Sequence, residues 1–145
     1  MAMVFEGELE GIDFLKLLKI CIIHDLGEAI SGDVPAIVQQ PDQNKSAQER
    51  ADLMILLEPL DELRRNEFLA LWDEYESASS PEAIMAKGLD KIETIIQHNQ
   101  GKNPPNFDYI FNLSYGVQYT SKHPLLAAIR QLIDKDTRRR AEAGS

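Results

Sequence analysis

His24, Asp25 and Glu28 are the residues of this sequence whose types and spacing best suit chemistry: an imidazole and two carboxylates at the end of an apolar run. The run starts at Ile12 and carries Phe14, Leu15, Leu17, Leu18, Ile20, Cys21, Ile22 and Ile23. A helix apolar on nearly every side is a buried helix. At about 100° per residue, His24 falls near the line of Leu17 and Cys21, Asp25 near Phe14 and Leu18, and Glu28 over Leu17 and His24. Three ionisable groups are therefore expected on a face that should be core. Unpartnered buried charge costs several kcal/mol at least, so such a cluster needs a metal, mutual pairing or a cavity with water. The metal site accounts for it best; the plainer alternative is a helix that frays before His24 and leaves these residues solvated. The chain has no Gly-rich phosphate loop, no Cys/His zinc spacing, no Ser-centred nucleophile elbow and no internal repeat, which narrows the chemistry to carboxylates and imidazole.

The elements that must position these residues read as helices. Leu, Ile, Ala, Glu and Asp outnumber the strand formers in a chain of 145 residues that is 43% hydrophobic, which predicts one all-α domain. Asp13 is placed to cap the central helix and Gly32 to end it before Asp33. Met1 to Glu6 reads as the tail of a preceding helix, with 6–11 as its cap and connector. Residues 34–44, with Pro35 and Pro41, form the longest irregular segment, a loop that either covers a site or only connects. Further helices are expected over 45–57, from Asp61 to Ser77 with Phe68, Trp72 and Tyr75 packing inward, and from Ser80-Pro81-Glu82 to Asn99 with Met85, Leu89, Ile92 and Ile96 as the stripe. A weaker helix follows over 107–116, and a last one opens at His123-Pro124 and runs through Ile133, making six in all. Asp90 lies about 100° from Leu89, where periodicity alone gives an exposed charge. The end of the chain, residues 137–145 with Arg138, Arg139 and Arg140, reads as a frayed, solvated tail.

Charge and composition exclude several classes. Twenty-four acidic against fifteen basic residues give a net charge of −9, a field that repels nucleic acid polymers and anionic membranes. A small phosphate ester can still bind where a metal reverses the local sign. The single cysteine, Cys21, excludes an internal disulfide and is expected to pack. With no signal peptide and no twenty-residue apolar span in the sequence, the expected compartment is the cytoplasm.

His24-Asp25 closing a buried helix, followed by Leu26-Gly27-Glu28-Ala29, Gly32-Asp33 and, much later, Lys87-Gly88-Leu89-Asp90-Lys91, resembles the HD-domain metal-dependent phosphohydrolase superfamily. The nearest branch is that of the small 5′-deoxynucleotidases and their HD domain-containing relatives; Leu71-Trp72-Asp73-Glu74-Tyr75-Glu76 resembles the same branch. The resemblance implies an all-α HD domain over residues 1–136 and a homodimer. It implies that His24, Asp25 and Asp90 hold a divalent cation (manganese, cobalt, iron, zinc or magnesium), against the exposed reading of Asp90. It further implies that Glu28 acts in catalysis by handling the attacking water, and that Asp33 serves substrate or a second cation. The substrate it implies is a deoxyribonucleoside 5′-monophosphate, hydrolysed to release phosphate. The family pattern also has a histidine one helix upstream, and no histidine precedes His24 here, so residues 1–6 match only the end of that helix. The alternative expectation is therefore an impaired helical module or a nucleotide-binding protein without turnover. His98 and His123 carry no supporting motif and read as surface or capping residues.

Overall fold

The computed structural model describes residues 1–33 and 45–143, and every regular element among them is helical. The irregular segment expected over 34–44 lies outside the described residues. The chain forms two compact units, Asp13–Ala83 and Met1–Ile12 with Ile84–Ser145. Among the described residues no helix is long and apolar enough to cross a membrane.

The unit Asp13–Ala83 contains α1 (Phe14–Ile23), α2 (Glu28–Ser31), α3 (Lys45–Leu56) and α4 (Glu62–Ser77). Its caps are those expected: the Asp13 side chain accepts from the Lys16 amide at 3.0 Å and Asp61 from the Arg64 amide at 2.9 Å, each satisfying a donor left open by the helix start. Ile23, Leu53, Leu57 and Trp72 form its buried cluster, with Leu26, Phe68, Leu69 and Leu71 packed against them. Each such side chain contributes about 1.5–3 kcal/mol when fully buried. Lys16 Nζ, 2.6 Å from Glu74 and 3.4 Å from Glu82, ties α1 to α4 and to the start of the next helix. Burial alone would raise the Glu82 carboxyl, but the Asp13 amide and the Lys16 ammonium hold it below its ordinary value. Ser80 caps the Ala83 amide at 3.1 Å and donates to Glu74.

One helix is expected from Asp13 to Gly32, whereas the chain leaves the α-helix after Ile23. The reason lies in the His24 carbonyl. In a continuing helix it would accept from the Glu28 amide; here it accepts from Trp72 Nε1 at 3.2 Å, and the Glu28 amide donates to Asp25 instead. Bonds from Leu26 to Ile23 and from Ala29 to Leu26 have the same three-residue span, so the corner winds about three residues per turn. Gly27 permits the corner to dock: a Cβ there would lie 2.7 Å from the Glu49 carbonyl oxygen of α3.

In the unit Met1–Ile12 with Ile84–Ser145, the helix tail expected over 1–6 is a 3-10 helix, Ala2–Glu8, interrupted at Phe5. The helix α5 (Pro81–Gln100) begins in the first unit and carries Met85, Leu89, Ile92 and Ile95 buried, with Ile95 rather than Ile96 completing the stripe. The helix expected over 107–116 is replaced by two single turns, α6 (Phe111–Ser114) and α7 (Val117–Thr120), separated at Tyr115 and Gly116. Gly116 has φ +70, and a Cβ there would lie 2.5 Å from the Lys91 side chain, so both conformation and space require glycine.

The helix α8 (Pro124–Ala143) holds this arrangement through Arg130. Its guanidinium donates to the carbonyls of Asn112 at 2.5 Å and Tyr115 at 2.7 Å, and pairs with Asp134 at 2.7 Å. Arg130 is buried, whereas Leu132 of the same helix is exposed. The frayed tail expected over 137–145 is corrected: the helix continues to Ala143, because fully buried Thr137 exchanges hydrogen bonds with Asn99 of α5. The six expected helices are thus eight α-helical segments among the described residues, with the same all-α class.

Arg130→Leu is expected to lower the unfolding free energy by about 3–5 kcal/mol, since it leaves Asp134 and two carbonyls without their cation. Gly27→Ala is expected to cost about 1–3 kcal/mol by overpacking against α3. Gly7→Ala, with nothing near its added carbon, should stay within about 0.5 kcal/mol. Urea unfolding of the three variants checks the ranking.

Candidate metal and carboxylate site

His24 is fixed by local chemistry. Its Nδ1 lies 2.9 Å from the Cys21 carbonyl, which can only accept, so Nδ1 carries a proton and donates. Its ring packs on Tyr75 of α4 with centroids 4.9 Å apart, and its carbonyl is held by Trp72. Trp72 and Tyr75 are buried, as expected of packing residues. The other ring nitrogen, Nε2, lies 3.2 Å from Asp25 Oδ1. A neutral imidazole protonated at Nδ1 presents a lone pair at Nε2, so two electron-rich atoms face each other. Only a positive species between them, a proton or a metal cation, makes that contact favourable. An imidazole nitrogen held in this tautomer by a backbone carbonyl, beside a carboxylate oxygen, suits a divalent cation of the manganese-to-zinc range.

The expectation that all three ionisable groups share a core face is corrected. His24 is half-buried, but the Asp25 side chain is 67% exposed, because the tight corner after Ile23 rotates it off the apolar line. Among the described residues no three His, Cys, Asp or Glu side chains form a group that could hold a metal ion.

Glu28 and Asp33 are brought together by a residue that the sequence pattern did not single out. Lys45 Nζ, at the first position of α3, lies 3.0 Å from Glu28 Oε1, 3.1 Å from Asp33 Oδ1 and 3.1 Å from Glu49 Oε1. A lysine opening a helix reads in sequence as solvated, and its partners lie 17 and 12 positions back, so no short-range pattern could reveal it. Burial pushes the Glu28 carboxyl up to about 7; Asp33 adds in the same sense and Lys45 opposes both. Glu28 is thus a carboxyl that changes protonation near neutrality, a property suited to proton transfer.

Asp90 lies on α5 in the other unit. It is half-buried rather than exposed, with Lys91 Nζ 2.9 Å from its Oδ2. Burial would lower the Lys91 ammonium, but Asp90 and Tyr115 together hold it above its ordinary value. The turn at Gly116 lies over the Lys91 stem. His98 Nδ1 donates to Asn112 Oδ1 at 2.9 Å, since an amide oxygen only accepts, and the ring packs on Phe107. His123 accepts from the Leu125 amide at 3.2 Å, a capping role.

The raised Glu28 value has a stability consequence. A carboxyl whose folded pKa exceeds its ordinary 4.5 contributes stability that is complete below that value and is lost as pH rises through about 7. Glu28→Gln should therefore gain stability relative to the native chain between pH 5 and pH 8, read as the difference in urea midpoint at the two pH values. An unchanged difference would show that Glu28 titrates normally.

The HD domain family model matches residues 1–130 of this chain. Among curated relatives, 5′-deoxynucleotidase HDDC2 of Danio rerio is 31% identical over 134 residues, covering 89% of this chain and 65% of that protein. Its counterpart in Homo sapiens is 33% identical over 100 residues, covering 69% and 48%. The chain thus spans about half to two thirds of the length of these relatives. A crystal structure of a "predicted metal-dependent phosphohydrolase" from Magnetospirillum magnetotacticum superposes with a TM-score of 0.80 over 97% of this chain and 73% of that one, at 21% identity, which speaks for the fold. A histidine-aspartate pair at the end of α1, which buries Leu17, Ile20 and Ile23 and leaves Leu15 and Ile22 exposed, in an all-α fold, and a family match over nine tenths of the sequence, lead to one assignment: the chain belongs to the HD-domain family.

Proposed function

We propose that this chain is a metal-dependent phosphohydrolase that releases phosphate from deoxyribonucleoside 5′-monophosphates. The observation that carries the reading is the His24 seat: a tautomer fixed by the Cys21 carbonyl, with Nε2 facing Asp25, a short step along the chain from Glu28, whose carboxyl burial pushes up to about 7. His24 and Asp25, with Asp90, are the residues proposed to hold a divalent cation. Such an ion, when bound, polarises a phosphoryl oxygen and acidifies water. Glu28 is the proposed general base, taking the proton of the attacking water at its carboxylate. Asp33, joined to Glu28 through Lys45, is the residue proposed to hold the sugar hydroxyl of the substrate or a second cation. The names of the HDDC2 relatives support the substrate class.

A second reading, a nucleotide-binding or purely structural helical module without turnover, draws support from the lack of a three-residue ligand group among the described residues.

The test is phosphate release from dAMP, dGMP, dTMP and dUMP with Mn²⁺, Co²⁺ or Mg²⁺, beside calorimetric metal titration. On the proposed reading the native chain turns over, and Glu28→Gln binds metal normally while kcat falls by about 10²–10⁴. His24→Ala should lose metal affinity by at least about 10–100-fold. Tight nucleotide binding with no phosphate release under any metal would replace the hydrolase reading by the second one, and loss of metal in Glu28→Gln would remove the base role.

A further inference from the structure

Asp90, the proposed metal ligand of α5, is gripped by the residue that follows it. Lys91 Nζ lies 2.9 Å from Asp90 Oδ2. Adjacent positions on a helix point about 100° apart and do not face each other. An ion pair between them therefore requires something outside the helix that bends the lysine stem back across Asp90.

The turn between α6 and α7 supplies it. A Cβ on Gly116 would stand 2.5 Å from both Cβ and Cγ of Lys91, so the turn backbone closes one side of the stem. The ammonium lies 5.1 Å from the centre of the Tyr115 ring, within cation–π range. Lys87, one turn earlier on α5, lies 5.7 Å from the Tyr119 ring, so two successive lysines of one helix face are seated on two tyrosines of one segment. That segment is fixed from α8, where Arg130 donates to the carbonyls of Asn112 at 2.5 Å and Tyr115 at 2.7 Å. The helix α5 also approaches α8 closely, since a Cβ on Gly88 would run into Leu126 Cδ1.

These contacts leave the lysine one direction. A long basic side chain usually carries its charged head into water. This one is 22% exposed and ends on a carboxylate. A carboxylate that binds a metal is itself usually hydrogen-bonded by an outer partner that fixes its orientation. Coulomb's law alone gives such an ammonium a different role, because it repels a divalent cation and competes with it for the same carboxylate. The two roles differ in sign: removing a competitor raises metal affinity, and removing a support lowers it. A competitor needs no seat, whereas Lys91 has one built from a glycine turn, an aromatic ring and a buried arginine.

We propose that Lys91 is a positioning residue for the metal site: clamped between Gly116 and Tyr115, its ammonium holds the Asp90 carboxylate in the one orientation used for a divalent cation. This inference rests on the reading of Asp90 as a metal ligand. It gives a role to a lysine that the sequence pattern leaves without one, and it makes Arg130 of α8 the outermost support of that ligand. A lysine that served packing alone would lower the melting temperature when replaced, without changing the metal affinity of the folded chain.

The experiment is a calorimetric titration of the chain with Mn²⁺ at neutral pH, beside crystal structures of the metal-free native chain and Lys91→Met. Lys91→Met keeps an apolar stem and removes the ammonium; it should lower Mn²⁺ affinity by about tenfold or more and release Asp90 into another rotamer. Lys91→Arg keeps a cation and should recover part of the affinity. Tyr115→Leu removes the ring and keeps the ammonium; it should give a smaller loss in the same direction, and it decides the matter if Lys91→Met does not fold. Unchanged affinity in the folded variants overturns the proposal, as does an Asp90 rotamer that stays native in Lys91→Met. Higher affinity in Lys91→Met also overturns it and makes the lysine a competitor of the metal. If the native chain binds no Mn²⁺, the reading of Asp90 as a metal ligand fails, and the Asp90 rotamer in Lys91→Met decides alone whether Lys91 positions this carboxylate.

Discussion

The His24 carbonyl is the switch point of the Asp13–Ala83 unit. Given to the Glu28 amide it would extend α1 by two further turns; given to Trp72 it ends the helix and starts a corner. Trp72 is buried, and an indole N–H in such a place must find an acceptor. The large aromatic of α4 thus satisfies its own donor by breaking the helix that it packs against. That break turns Asp25 outward, sets His24 Nε2 against its carboxylate and starts α2 at Glu28. A straight helix would have placed all three groups on its core line, where charge is costly. The corner keeps them near the surface and still fixed.

The same economy of charge governs both units. The chain is strongly acidic, and several of its carboxylates meet cations: Glu74 and Glu82 at Lys16, Glu28, Asp33 and Glu49 at Lys45, Asp90 at Lys91, and Asp134 at Arg130, while buried Asp52 accepts from Gln48 at 2.9 Å. Arg130 differs from the lysines in what it does with its extra donors. Its planar guanidinium reaches two backbone carbonyls as well as a carboxylate, and so replaces the helical hydrogen bonds that the break at Gly116 removes. The lysines instead gather carboxylates at a point, which suits a cluster of negative groups more than a frayed backbone.

Much of this was legible in the sequence where the signal is local. Asp13, Asp61 and Ser80-Pro81 announce three helices correctly because a cap acts within three residues of itself. The stripe of α5 is legible because burial repeats with the helical period, and its one error is Ile96 for Ile95, about 100° away at the edge of the stripe. The corner at His24 was not legible, because it depends on an indole 48 positions away. Lys45 and Arg130 were hidden for a related reason: periodicity assigns a long basic side chain to solvent, and only its distant partners say otherwise. The break between α6 and α7 was half visible in Gly116, whose freedom of φ was a hint, but its cause, the Arg130 contacts, was not. The extension of α8 to Ala143 was misread because three consecutive arginines suggest a tail, although arginine is a good helix former and Thr137 supplies the anchor.

The site residues divide along the same line. His24, Asp25 and Glu28 stand out because their spacing is short and their neighbours are apolar, and a family resemblance adds Asp33 and Asp90. What makes Glu28 useful is not in that list. A carboxyl on an exposed helix turn would sit near its ordinary value and be a poor base at neutral pH; burial lifts it, Asp33 lifts it further, and Lys45 limits the rise. The cation that opposes the rise comes from α3, which the Gly27 backbone approaches closely. A residue without a side chain thus joins the two segments, and loss of that close approach would disturb the fold and the surroundings of Glu28 together.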